Sequence, residues 1–419
     1  MSEKILCSMF EMGDVLSDLP SRIVYAKDFK NQGDTAIQAA VDACANAGGG
    51  TIFISAGDWE TKPIHLKSRI HLYVEEGANI WFSKKFCEYL PPVFTRWEGM
   101  ECYNYSPLIY ARDCTDIAVT GGGTLFGNGQ VWWHWKGLQQ SAATELCYAQ
   151  SRGIDVEKRR YGTEEAALRP SFIQPVGCKN VLIEGITIKD GPQWTIHPVY
   201  CENVAVRNVT VETSGPNTDG MNPDSCKNVL IEGCVFNTGD DCIAINSGMN
   251  EDGWRVNRPC ENVEIRNCEM KGGHGGIAIG SGLSGGVKKI YAHDCKMKDT
   301  MQGIRLKSMR GRGGYVEDVA FERISVQDVT DQAIQITMFY EYTTVEPVTS
   351  TPSDFRNIRI KEVSGTSKGC GIQIKGLPEH KLKNIDLEQI DLVAEEAFIC
   401  SDVEEMTWNQ VSIRKAEKK

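Results

Sequence analysis

The sequence predicts an all-β chain wound as a right-handed parallel β-helix, with a short helix capping its N-terminal end. Three observations carry that expectation. A motif of the form Asn-apolar-x-apolar-x-x-apolar-x-apolar recurs, with copies starting at residues 180, 203, 228, 262, 289, 318, 357 and 384. Inside each half of the motif apolar and other residues alternate, the period of a strand with one buried face. The copies are unevenly spaced and show no helical period, which suits the coils of a solenoid better than propeller blades of roughly 40 residues or more.

The elements follow in chain order. Residues 1–30 read as an N-terminal extension. Residues 34–47 read as a helix, with Asp34 as N-cap and Ile37, Ala40, Val41 and Cys44 at helical spacing. Gly48-Gly49-Gly50 ends it, and Thr51 to Ser55 forms a strand closed by Ala56-Gly57-Asp58. A helix before the first strands covers the open end of stacked sheets. The repeat is plainest from Asn180, with Val181, Ile183, Ile186 and Ile188. It continues through Asn203, Asn228 and Asn262, with Lys289 and Asp318 in the lead position later, and returns at Asn357 and Asn384. An Asn before each strand suits a tight bend in the left-handed region, which Asn tolerates. Three stretches lack the pattern, Gly127–Leu168, Ser247–Pro259 and Phe339–Ser353, and read as long loops between coils. Trp132, Trp133 and Trp135 lie in the first; sugar stacking is one use for them, burial in the base of the loop the commoner one. The tail Lys415–Lys419 is charged and expected to fray. No linker rich in Pro, Gly and Ser divides the chain, so all 419 residues read as one domain.

Composition narrows the function classes. With 41% hydrophobic and 24% charged residues the chain resembles a soluble globular protein, and no apolar run approaches the roughly 20 residues of a membrane span. A net charge of −11 argues against nucleic acid as partner. An anionic substrate would need a local cationic site; Arg305, Lys307, Arg310 and Arg312 are the densest candidate. The sixteen cysteines include no Cys-x-x-Cys pair. Cys178, Cys201, Cys226 and Cys260 each stand two residues before a repeat Asn, the pattern of a stacked column of reduced core thiols. Met1–Pro20 does not read as a secretory signal. A cytoplasmic location is expected, or secretion if a signal has been trimmed away. A monomer or weak homo-oligomer is expected.

The chemistry gathers between Asn217 and Lys307. Four segments, Asn217-Thr218-Asp219, Gly239-Asp240-Asp241, Gly273-His274-Gly275 and Arg305-Leu306-Lys307, each adjoin a short apolar run. Aligning the runs on Met221, Ile243, Ile277 and Ile304 puts Asp219 and Asp241 in one phase and Asp240 and His274 in another. On neighbouring coils about 4.8 Å apart, Asp219 and Asp241 repel, and one pKa should rise. Asp240 and Asp241 must leave a bend together, which Gly239 permits. Three acids offer a general acid and a base for water, the equipment of glycoside hydrolysis. His274 is placed to tune the acid, with Gly273, Gly275 and Gly276 leaving room for a ligand. Arg305 and Lys307 face out between Ile304 and Leu306 and can bind a carboxylate. Each motif alone is more often structural: a Gly-Asp-Asp turn, a Gly-His-Gly loop, a solvated Arg-x-Lys strand. Their coincidence on consecutive coils favours catalysis. The same acids and His could hold a metal, but Arg305 and Lys307 beside them argue against an added cation. Neither metal nor cofactor is expected.

At these residues the chain resembles the polygalacturonase family, glycoside hydrolase family 28. All four motifs occur in the family's order and at comparable spacing, with Leu306 in place of the more usual Ile, and the repeat extends the resemblance over most of the chain. The resemblance implies hydrolysis of α-1,4 linkages between galacturonic acids, with inversion and without metal. It implies Asp240 as general acid, Asp219 and Asp241 as activators of water, and His274 as support of the acid. Asn217, Arg305 and Lys307 belong to its substrate site. A substrate-binding Tyr matches Tyr340, with Tyr342 close by. Trp194 to Pro198 and Thr218 to Pro223 resemble bacterial members, several of them exo-acting, so an enzyme trimming oligogalacturonides, its long loops closing one end of the cleft, is expected. His197 shares the phase of Arg305 and is placed to line the cleft, a core role being the alternative. Rival readings are a rhamnogalacturonan or substituted-galacturonan hydrolase, a calcium-dependent pectate lyase, and a non-catalytic β-helix that binds carbohydrate.

Overall fold

The apolar set of one repeat, Val204, Val206, Val209 and Val211, is fully buried, as are Val229, Ile231, Cys234 and Phe236 one coil later. Their strands pair in parallel without slippage, Val204 against Val229 and Val229 against Val263. A one-residue slip would turn every one of these side chains outward, so burial itself holds the register. Repetition of this pairing winds 24 strands into one continuous coiled sheet, a right-handed parallel β-helix. A single apolar core runs from Ala26 to Leu392 along its axis. The computed structural model describes residues 15–17, 19–340 and 351–416. The start of the expected extension, the end of the tail, Tyr342 and most of the 339–353 loop lie outside them. Among the described residues no helix is long and apolar enough to cross a membrane.

The repeat's lead residues take the predicted left-handed conformation, with φ of 57° at Asn180, 60° at Asn203, 57° at Asn228 and 58° at Asn262. They also do something the pattern did not announce. Asn203 Nδ2 donates to Asn180 Oδ1 at 2.9 Å, Asn228 to Asn203 at 2.9 Å and Asn262 to Asn228 at 2.7 Å. Each bend is thus tied to the next by an amide ladder. The expected cysteine column is present too: Cys178, Cys201, Cys226 and Cys260 are buried free thiols.

The capping helix is Ala36–Asn46, with Ile37, Ala40, Val41 and Cys44 buried as its spacing predicts. Its start needs correcting. Residues Ala26–Thr35 form a 3-10 stretch, Thr35 is the N-cap, and no side chain caps the helix. Asp34 instead accepts Lys62 at 3.4 Å.

Two of the three unpatterned stretches are not plain loops. The first carries the helix Gln140–Ser151, the second the helix Asn250–Val256. Trp132 and Trp135 are buried against Phe86 and Tyr105, so they serve packing. An antiparallel hairpin, Val93–Trp97 with Met100–Asn104, was not foreseen; it lies beside the coil and outside the repeat. Buried ion pairs fasten these additions: Arg159 to Asp252 at 2.6 Å and Arg96 to Asp224 at 2.8 Å.

Candidate active site

One face of the coil carries the site. Ile173, Ile196, Met221, Ile243, Ile277, Ile304 and Ile334 stand in register on successive coils, all fully or almost fully buried. The alignment of the four motifs is therefore the physical stacking order. Residues two before this column and one or three after it face outward. Asp219 and Asp241 occupy the first position, Arg305 the second and Lys307 the third.

The glycines make the acids fit. A Cβ at Gly239 would sit 2.1 Å from the Gly215 carbonyl, and one at Gly273 would sit 2.2 Å from the Asp240 carbonyl. A Cβ at Gly275 would stand 2.8 Å from Asp241 Oδ1, and one at Gly276 would meet Met297 Sδ at 2.6 Å. The room these glycines leave is filled by the protein's own acids and core, which corrects the expectation that it is kept for a ligand.

Asp241 is the most heavily held. Its Oδ1 accepts Gly275 N–H at 2.6 Å and faces Arg305 Nη1 at 3.4 Å, while its Oδ2 accepts Lys307 Nζ at 2.6 Å. Asp240 Oδ1 accepts the Asp241 N–H at 2.9 Å and meets His274 Nδ1 at 2.9 Å. Asp240 Oδ2 accepts Asn217 Nδ2 at 3.4 Å. Asp219 Oδ2 accepts Asn222 Nδ2 at 2.8 Å. The three acids bring carboxyl oxygens within 4.8 Å of one another. Tyr340 lies beside them, its ring 5.5 Å from the Arg305 guanidinium and 5.1 Å from Lys307 Nζ.

Burial and neighbours split the acids. Burial, then the charges of Asp240 and Asp241, pushes Asp219 well above the usual carboxylate range. Burial also pushes Asp240 upward, but the His274 hydrogen bond and the charges of His274 and Lys307 outweigh it and hold Asp240 low. The bond to Asp240 raises His274 despite its burial. The two acids are thus pushed in opposite directions, burial and like charge favouring a protonated Asp219 and His274 favouring an ionised Asp240. Three acids of this kind would also ligate a cation, yet Lys307 and Arg305 already engage both oxygens of Asp241, so the donor set fits a metal poorly.

A match to the model of "Glycosyl hydrolases family 28" covers residues 155–412, which include all four motifs. The chain belongs to glycosyl hydrolase family 28. Its fold superposes on the hyperthermoactive exopolygalacturonase of Thermotoga maritima with a TM-score of 0.89, at 36% identity, over 95% of this chain and 93% of that one. The family 28 exopolygalacturonase of Yersinia enterocolitica shares the fold at a TM-score of 0.79 and 23% identity, over 96% of this chain and 76% of that one. Among curated relatives, a probable polygalacturonase of Vitis vinifera is 28% identical over 65% of this chain and 52% of its own length. The exo-poly-alpha-D-galacturonosidase of Dickeya chrysanthemi is 25% identical over 82% of this chain and 61% of its own. The chain spans about half the length of the first curated relatives it matches, 52% and 43%.

Within the family 28 frame, most sequence-derived site residues meet: Asn217, Asp219, Asp240, Asp241, His274, Arg305, Lys307 and Tyr340. His197 does not join them. It has the outward phase of Arg305, as expected, yet is fully buried. The Trp194 ring packs edge-on to it at 4.6 Å, and a hydrogen-bond chain ties it to the hairpin. Thr95 Oγ1 donates to Gln174 Oε1 at 2.5 Å, Gln174 Nε2 donates to His197 Nδ1 at 2.8 Å, and His197 Nε2 faces Asp224 Oδ2 at 3.5 Å. A covered His197 cannot touch a substrate, and burial holds its pKa down despite Asp224. The cationic run is also shorter than expected. Arg310 pairs with Glu379 at 2.7 Å and Arg312 donates to Asn250 at 2.8 Å, so only Arg305 and Lys307 reach the acids. Sequence reasoning missed Asn222, the hairpin and Arg169, whose Nη2 donates to Asn217 Oδ1 at 2.8 Å. Asn222 had a signal, standing one after Met221 as Arg305 stands one after Ile304. Arg169 and the hairpin lie outside the repeat, where periodicity is silent.

Proposed function

We propose that this chain hydrolyses the α-1,4 linkage of galacturonan or oligogalacturonides and acts from a chain end. The observation that carries the exo reading is the covered groove. On the two coils before Asp219, the outward residue Gln174 bonds to Thr95 and Arg96 of the hairpin and in turn donates to the buried His197. The hairpin tip reaches on: Trp97 Nε1 donates to Gln193 Oε1 at 3.1 Å, and Gly99 O accepts Met249 N–H at 3.0 Å. A polymer lying along the coil meets this wall just past the acids, so an end fits and an interior segment does not.

Asp240 is the most open of the three acids, its side chain 17% exposed against 3% for Asp241, and it delivers the proton to the leaving oxygen. Asp241, held by Lys307 and Arg305, works with Asp219 on the attacking water. Asp240, held low in the free site, has to gain a proton before it can act as the acid. A bound uronate adds negative charge and excludes water beside Asp240, and both favour its protonation. The carboxyl oxygens lie within 4.8 Å of one another, nearer the retaining spacing of roughly 5–5.5 Å than the inverting one. Inversion is proposed on the family resemblance, and the anomer first released, read by proton NMR, decides it. The described cysteines are all free thiols, which supports a reducing, cytoplasmic setting.

Digestion of a defined galacturonate tetramer tests the reading. Early products should be monomer and trimer only, and Asp240→Asn should abolish them while leaving the circular dichroism unchanged. A ladder of intermediate lengths from polygalacturonate, or an ultraviolet-absorbing unsaturated product, rejects it.

A further inference from the structure

We infer that Arg169 is a positioning residue for the general acid, acting through the side-chain amide of Asn217. The inference rests on the proposed role of Asp240. Arg169 directly follows the Gly127–Leu168 stretch and is fully buried. Every one of its five N–H groups is used. Nε and Nη2 donate to Gln139 Oε1 at 3.3 and 3.2 Å, and Nη1 donates to the carbonyls of Pro192 at 3.1 Å and Pro216 at 2.6 Å. The remaining Nη2 proton goes to Asn217 Oδ1 at 2.8 Å.

A guanidinium only donates, so it admits one orientation of the Asn217 amide. The oxygen must face Arg169. The nitrogen then faces Asp240 Oδ2, at 3.4 Å. The backbone of Asn217 is set at the same time, since the carbonyl before it is clamped by Arg169 and its own φ is 55°. With His274 and the Asp241 N–H on Oδ1, the amide on Oδ2 completes a set of donors around Asp240. That set favours the carboxylate left behind once Asp240 has given up its proton.

The charge of Arg169 needs a reason of its own. Its five hydrogen bonds go to amide and carbonyl oxygens and none to a carboxylate. Burial pulls its pKa down to about 10, against the charges of Glu98 and Asp240. A buried cation without a hydrogen-bonded anion is costly, and a neutral donor could clamp carbonyls. What a neutral amide such as Gln could not do is forbid the flipped Asn217, because it can turn to accept.

Flipping would put Asn217 Oδ1 against Asp240 Oδ2 and favour the protonated acid. The charged groups facing Asp240 are His274, Asp219, Asp241, Lys307 and, behind Asn217, Arg169, with Glu98 on the hairpin facing Arg169. Arg169→Gln should therefore raise the pKa of Asp240. The test uses the full chain and six proteins: wild type, Arg169→Gln, Arg169→Lys, Asn217→Leu, the double variant Arg169→Gln with Asn217→Leu, and Asp240→Asn. Carbon-13 carboxyl NMR follows Asp240 without substrate, so it stands even if galacturonan is the wrong ligand; Asp240→Asn assigns the signal. The Asp240 titration should move upward in Arg169→Gln and stay near wild type in Arg169→Lys, which still donates and cannot accept. With oligogalacturonate, kcat of Arg169→Gln should fall roughly 100-fold with KM nearly unchanged, the scale of a misplaced catalytic group. The alkaline limb of its pH profile should move upward. Arg169→Gln combined with Asn217→Leu should be no worse than Asn217→Leu alone, since the effect passes through Asn217. An unmoved Asp240 titration in a folded Arg169→Gln overturns the inference. Full additivity of the two variants overturns it as well. If Arg169→Gln does not fold, a downward or upward shift of Asp240 in Arg169→Lys as large as that in Asn217→Leu does the same, and an unshifted titration supports it.

Discussion

The covered groove can be opened by one substitution. Arg96 and Asp224 form an ion pair at 2.8 Å with both side chains 0% exposed, and Arg96 also donates to Ser225 Oγ at 2.9 Å. Arg96→Met removes the charge and leaves Asp224 buried with only His197 and the Gly248 N–H, which donates to its Oδ1 at 3.0 Å, as side-chain partners among the described residues. Removing one partner of a buried pair costs about 3–5 kcal/mol. Because the hairpin is an addition to the coil, that loss should appear as local opening rather than global unfolding. The open population should rise by about two to almost four orders of magnitude, at 1.4 kcal/mol per factor of ten. Hydrogen exchange at the amides of residues 93–104 reads it directly. Arg96→Met with Asp224→Leu should recover most of the protection, since no buried charge then remains. The pH dependence has a definite sign. Burial pushes Asp224 upward, but Arg96 and His197 outweigh it and hold its pKa low. In the native protein this stabilisation is present above the unfolded carboxylate value, about 3.9, and is lost as pH falls through the lowered folded value. In Arg96→Met the unpaired carboxylate shifts the other way, so lowering the pH should restore protection. Equal exchange in the single and double variants would refute the unpaired-charge reasoning. Open hairpins that still release only monomer would refute the hairpin as the cause of exo action.

Three further outcomes follow from the same geometry. His274→Gln should weaken the proposed hydrolysis and move the alkaline limb of the pH profile, because the bond from His274 that holds Asp240 low is removed; in the native protein that imidazolium pairing is present below about 6.5 and is lost as pH rises through the raised value of His274. Chelation should leave activity unchanged, since Lys307 and Arg305 stand where a cation would sit on Asp241; loss with EDTA and recovery with calcium would show otherwise. Asn228→Ala should destabilise by about 1–3 kcal/mol, losing both ladder bonds and placing Ala at φ 57°, as measured by denaturant unfolding.

Much of the site was legible because it lies on the repeat. Once Met221, Ile243, Ile277 and Ile304 are aligned, parallel pairing leaves no freedom in which outward residues meet. Tyr340 was within reach, three residues past the strand Gln332–Thr337, its N–H donating to Ser308 O at 3.0 Å. Where the chain leaves the repeat, position along it no longer reports position in space. Trp132 and Trp135 could be given a burial role from size alone, but not their neighbours. The partners of Arg310 and Arg312 are drawn from residues 379 and 250, and the clustered charges disperse accordingly.

Local pattern by itself determined the coil, its bends and the stacking of three acids beside His274, Arg305 and Lys307, because a period-two strand with one buried face admits one register. Tertiary structure alone decided which outward positions stay open. His197 and Arg305 have the same phase, and what separates a covered side chain from one in the cleft is Trp194 beside it and the hairpin, more than ninety residues upstream, bonded over Gln174. Phase is a property of neighbouring residues on one strand. Exposure depends on whatever else the chain lays over that strand, and here an ion pair between Arg96 and Asp224 settles it.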